Sequence, residues 1–224
     1  MSPRTPLPPP PPPVEVQAWP DRRARLADRE FAMDTLARWL LGPRRLTLFL
    51  ACCGLLQLGW ALIGVTLVGV AEIAMTEQPE YLGLLGAVLV GMLGIGVFVP
   101  AVWLTVRGLR RDRVVRERLL AWAALDRDGA SDARLRLPLL SASWLLLSFA
   151  MCATGLWTSF AVPLTTGPED GGYGAVAYGM GAALILWVAG LTGLAKAAGH
   201  YRMAIRLTGR PAARSASSEP PRPE

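Results

Sequence analysis

The sequence predicts an all-α, polytopic membrane protein. Four transmembrane helices form two hairpins, flanked by cytoplasmic juxtamembrane helices and disordered tails. Three observations predict this. The chain of 224 residues is 52% hydrophobic and its mean hydropathy is positive, a combination rare in soluble domains of this size. Four stretches, 46–71, 81–106, 137–168 and 171–195, contain no Asp, Glu, Lys or Arg. The 23 Lys and Arg residues all fall on one side of these stretches.

The length of each stretch decides its reading. A helix rises about 1.5 Å per residue and the hydrocarbon layer is about 30 Å thick, so roughly 20 apolar residues cross it. A soluble reading would need four buried helices, each apolar on every face, with almost nothing amphipathic to cover them. The basic residues set the orientation. Eight arginines precede residue 46, nine lie between 107 and 136, and five arginines with the single lysine lie from Lys196 onward. The connections 72–80 and 169–170 hold only acids. Cytoplasmic loops collect Lys and Arg, so both termini and the central loop are expected in the cytoplasm. No cleavable signal peptide is expected, because a long polar tail precedes the first apolar run. Arginine far outnumbers lysine, and Ala, Gly and Pro abound. That bias suggests a GC-rich genome and a bacterial plasma (inner) membrane.

Residues 1–20 are expected to be a disordered proline-rich tail. It contains six consecutive prolines, Pro8 to Pro13, which favour extended polyproline II and cannot build a core. The tail is either a spacer or a ligand for a proline-recognising domain. The spacer is favoured, since Arg4 is not spaced as in a PxxP ligand. Residues 21–43 are expected to form an amphipathic helix capped by Asp21 and stopped by Gly42-Pro43. Leu26, Met33, Leu36, Ala37 and Leu40 share one face, into which Arg29 and Glu30 intrude. This helix suits the anionic inner leaflet; the alternative is a solvated helix leading into the membrane.

Residues 44–107 form the first hairpin, with helices 46–71 and 81–106, and Pro100 is expected to kink the second. Residues 108–136 form a basic loop with a helical extension, on which Val115, Leu119 and Trp122 recur at helical spacing. Residues 137–198 form the second hairpin, with helices 138–162 and 173–195, and Pro138 occupies the permitted first turn. Residues 199–224 are expected to be a largely disordered tail. A shift of 89 positions aligns Thr76-x-x-Pro79-Glu80 with Thr165-x-x-Pro168-Glu169, and Arg107 with Lys196. This suggests a parallel internal repeat. Most tryptophans fall near the expected interfaces, as aromatic belts do.

Chemistry is scarce. Cys52-Cys53 and Cys152 lie at depths roughly 12 Å apart by helical rise, too far for a disulfide or a shared metal. His200 has no ligand at metal spacing, and Asp126-Arg127-Asp128-Gly129 lacks the later positions of a calcium loop. No ionisable residue lies inside a span, which argues against an ion-coupled transporter. Neither a cofactor nor a metal is expected, and no catalytic pair is available.

Two polar residues are placed near midplane, Gln57 and Ser148, as glue between helices. Small residues recur as Gly83, Ala87 and Gly91 with Gly94 alongside, and as Ala175, Gly179 and Ala183, then Gly193. Such rows let backbones approach closely. The expected role is a non-enzymatic scaffold, accessory or regulatory subunit. The alternative is a small oligomeric permease or channel for a neutral or apolar solute. Expected partners are anionic inner-leaflet lipids and either further copies of the chain or another membrane protein. Topology accounts for the basic residues, so no nucleic acid is called for.

Overall fold

The computed structural model describes residues 7–13, 19–74, 81–125, 138–165 and 172–208. Among the described residues every regular element is helical: α1 (Arg22–Leu41), α2 (Pro43–Ala74), α3 (Tyr81–Ala123), α4 (Pro138–Thr165) and α5 (Gly172–Thr208). Four helical stretches are long and apolar enough to cross a membrane. At most 17% of each apolar window is buried inside the protein, so most of its surface faces outward.

Local chemistry sets the boundaries. Asp21 caps α1, its carboxylate accepting the Ala24 N–H at 2.7 Å, which satisfies one of the orphan donors of the first turn. Gly42 closes α1 with its N–H on the Arg38 carbonyl at 2.8 Å and a ψ of 156°. That extended ψ is what a residue before proline adopts. Pro43 then opens α2 at the position where a missing N–H costs nothing.

α3 is one helix of 43 residues that passes through Pro100, as the expected helical extension of residues 108–136 implies. Two boundaries differ from the sequence expectation. α2 runs on to Ala74 and takes in Glu72. α5 continues to Thr208, where a tail was expected from residue 199. No proline interrupts 196–208, and Lys196 is held by Asp112 on α3. The remainder of the outer connections (75–80, 166–171), the end of the basic loop (126–137) and residues 209–224 lie outside the described residues.

The chain divides into two compact units. The span unit comprises Pro43–Arg111 and Ser143–Ala195. In it, Gly59 of α2 meets Phe98 of α3 and Gly91 meets Thr66. Early residues of one helix thus face late residues of the other, and the pair is antiparallel. The same logic pairs α4 with α5, through Gly155 against Ala183 and Gly193 against Ser148. It also pairs α2 with α5, through Gln57 against Ala182 and Gly174 against Leu67. The 89-residue shift would map the Ile63–Gly94 contact onto Cys152 and Ala183. Instead, Cys152 lies against Gly190 and Ala183 against Gly155. The two pairs therefore pack in registers about one turn apart.

The second, basic unit comprises Met1–Gly42, Asp112–Ala142 and Lys196–Glu224. Its core draws on Ala32, Met33, Leu36, Ala37, Leu40 and Leu41 of α1, Val115, Leu119, Trp122 and Ala123 of α3, and Ala197 of α5. Met33, Leu36 and Leu41 are at most 1% exposed. Burial of each such side chain favours the folded unit by about 1.5–3 kcal/mol. The apolar face of α1 is thus turned into protein, which corrects the expectation that it lies in the headgroup layer.

Candidate functional site

The seams of the span unit are glycine notches, and part of the expected rows lies in them. On α3, Gly94 packs on the Gly59 carbonyl of α2 and Gly91 on the Thr66 side chain. The Ala87 carbonyl accepts the Thr66 hydroxyl at 3.0 Å. Gly83 is exposed. On α5, Gly179 packs against Val162, and Ala183, 1% exposed, faces Gly155. Gly193 makes room for the Ser148 hydroxyl, and Ala175 is half-buried.

Further glycines lie outside the expected rows. A Cβ on Gly190 would stand 2.7 Å from both the Cys152 nitrogen and the Ser148 carbonyl oxygen. Gly181 opens a notch for the Trp60 ring, and Gly64 one for the Tyr178 ring. The Trp60 indole completes this joint by donating to the Tyr178 carbonyl at 2.8 Å. These notches accept rings rather than backbones, so they need no regular row.

Gln57 and Ser148, the polar residues expected near midplane, turn to α5 and not to each other. Gln57 donates through Nε2 to the Ala182 carbonyl at 2.9 Å. Ser148 is 1% exposed, and its hydroxyl has no hydrogen-bond partner among the described residues. Cys52, Cys53 and Cys152 are free thiols. Among the described residues no three His, Cys, Asp or Glu side chains gather as a metal site. Trp144 also departs from the belt expectation, being 1% exposed and stacked at 5.2 Å on Phe49.

Specific polar chemistry gathers in the basic unit, around the end of α3. Arg29, 1% exposed, donates through Nε to the Trp122 carbonyl at 3.3 Å. Trp122 lies in the last turn of α3, where a cation is favoured, and its carbonyl also accepts the Leu125 N–H at 3.3 Å. The intrusion of Arg29 into an apolar face is thereby explained. Trp19 sets its ring edge-on to Trp122, with centroids 6.4 Å apart, and its indole donates to Asp28 at 2.9 Å. On the same end of α3, Arg118 donates to the Pro8 carbonyl at 2.8 Å and the Trp122 indole donates to the Pro9 carbonyl at 3.0 Å. Pro8 is buried. This corrects the expectation that the proline run is a free spacer.

Lys196 and Asp112 form the remaining feature, an ion pair at 2.7 Å with side chains 13% and 20% exposed. His200, one turn beyond, is buried. Sequence reasoning missed the pair because 84 residues separate its members. No protein-family model, no curated protein and no solved structure matches this chain.

Proposed function

We propose that the chain is an integral membrane protein with four spans and both ends in the cytoplasm. Its role is that of a non-enzymatic scaffold or regulatory subunit, and the basic unit is its working part. One observation carries this reading. The basic segments, scattered in sequence over the N-terminal region and the ends of α3 and α5, fold into one unit with its own core. Arg22, Arg23, Arg38, Arg113 and Arg116 stay exposed on it. Such a surface suits anionic lipid or an acidic partner. The span unit supports the reading too, because Gln57 and Trp60 direct their donors at α5 carbonyls, as packing groups do.

Reporter fusions at the two termini test the topology. Both should report cytoplasm, as the segregation of Lys and Arg requires; opposite sides would refute it. Proteoliposomes test the role. Glycerol or urea uptake faster than in protein-free vesicles would overturn the scaffold in favour of a permease.

A further inference from the structure

We infer that the end of α3 is a polyproline-binding site, occupied in cis by the chain's own N-terminal segment and able to exchange it for a polyproline II segment presented in trans. The assignment stands on the basic unit alone and does not depend on the membrane reading above.

The ligand's chemistry comes first. Pro8 to Pro13 is an unbroken run. Each ring fixes φ near −65°, and each proline bars its predecessor from the helical region. The run is therefore held in polyproline II, with a rise of about 3.1 Å per residue and no internal hydrogen bonds. Its carbonyls are free acceptors, and it carries no N–H at all. A surface that recognises it must donate.

α3 supplies that surface. Arginine and the tryptophan indole are pure donors, and Arg118 and Trp122 stand four residues apart, on adjoining turns of one helix face. They bond successive carbonyls, Pro8 at 2.8 Å and Pro9 at 3.0 Å. A second aromatic ring stands beside the donor, Trp19 edge-on to Trp122 at 6.4 Å. Arg29 fixes the backbone of the residue that carries the second donor, through its bond to the Trp122 carbonyl. An aromatic-lined groove whose indole donates to a proline carbonyl is the general means by which such segments are read. Ordering costs little, because the ligand is already extended. Both bonds go to main-chain carbonyls, so the site reads the backbone form and will accept proline-rich segments other than its own.

Occupation in cis makes the site self-limiting. A short tether gives the tail an effective concentration on the order of millimolar, which a free segment must overcome.

The test uses the full chain in detergent or nanodiscs. In one variant, residues 7–13 are replaced by Gly and Ser, which leaves every helix intact. The probe is a fluorescein-labelled peptide of residues 5–14, followed by anisotropy. The variant should bind the probe, and the parent should bind it on the order of tenfold or more weakly because its own tail competes. Adding Trp122→Phe to the variant keeps the ring and removes the donor. It should weaken binding roughly three- to tenfold, as loss of one neutral hydrogen bond does. If that protein fails to fold, Arg118→Met at the half-buried neighbouring site repeats the measurement. Equal affinity in parent and variant, no binding by the variant, or indifference to both substitutions overturns the site. So does loss of cooperative melting in the Gly/Ser variant, which would make the tail a fixed part of the core.

Discussion

Gly190→Ala is the sharpest probe of the span unit, because one added carbon must move two backbones. A Cβ there would meet Cys152 Sγ at 2.5 Å, and the Cys152 nitrogen and Ser148 carbonyl oxygen at 2.7 Å. Ordinary contact needs about 3.4–4.0 Å, and neither backbone atom can rotate away. α4 and α5 must therefore separate locally by about 0.7 Å. A gap of that size forfeits a quarter to a half of each contact across the seam, and overpacking of this kind costs about 1–3 kcal/mol.

Alanine also removes the helix penalty of glycine, about 1 kcal/mol in the favourable direction. Gly96→Ala isolates that term, because a Cβ at Gly96 meets nothing within 4 Å. The helix term is common to both, so the two variants should differ by the overpacking cost, about 1–3 kcal/mol. At about 2–4 °C per kcal/mol for a chain of this size, their melting temperatures in one detergent should lie roughly 2–12 °C apart, with Gly190→Ala the lower. If the two melt together, the glycine notch does not hold α4 against α5, and the seam described here is wrong.

Other perturbations test neighbouring joints. Gly91→Leu forces a side chain onto Thr66, whose atoms lie 3.0–3.1 Å from an added Cβ; it should destabilise by about 1–3 kcal/mol, whereas Leu89→Ile at a 61% exposed site should melt with the parent. Gln57→Leu removes the bond to Ala182 and should lower stability by about 0.6–1.7 kcal/mol with insertion into membranes unchanged; an unaltered melt would exclude the glue role. Lys196→Met and Asp112→Asn should each cost about 1–2 kcal/mol, less than a fully buried pair because 13% and 20% of the side chains stay exposed. Their double variant should show a coupling of about 1 kcal/mol, and strict additivity would mean that the ion pair contributes nothing.

The sequence carried the all-helical architecture and the four long apolar helices, because charge-free runs of about 20 residues have few alternative readings. Its small-residue rows include Gly91, Gly94, Gly179 and Gly193, which meet backbone or a side chain of a neighbouring helix. Gly64 and Gly181, which receive the rings of Tyr178 and Trp60, were not among the expected residues. What such a glycine accepts depends on which helix crosses it, and that is a tertiary fact. The α1 face was legible as apolar, but its destination was not. An apolar stripe fits a headgroup layer and a protein core equally well by periodicity alone. Arg29 held the discriminating clue: a guanidinium in the middle of an apolar face requires an acceptor there, and the end of α3 supplies one in the Trp122 carbonyl.

The proline run shows why half of a recognition event can be visible and the whole invisible. A sequence displays acceptors without donors wherever prolines are consecutive, and that asymmetry marks the segment as a ligand in search of a surface. Nothing local says where the donors are. The helical extension that carries Arg118 and Trp122 was expected, but not which segment would meet them. The helix of α3 through Ala123 fixes the two donors four residues apart on one face. Their long side chains reach successive carbonyls, Pro8 and Pro9. The last turns of α3 thus present a rigid pair of donors to a segment that can only accept.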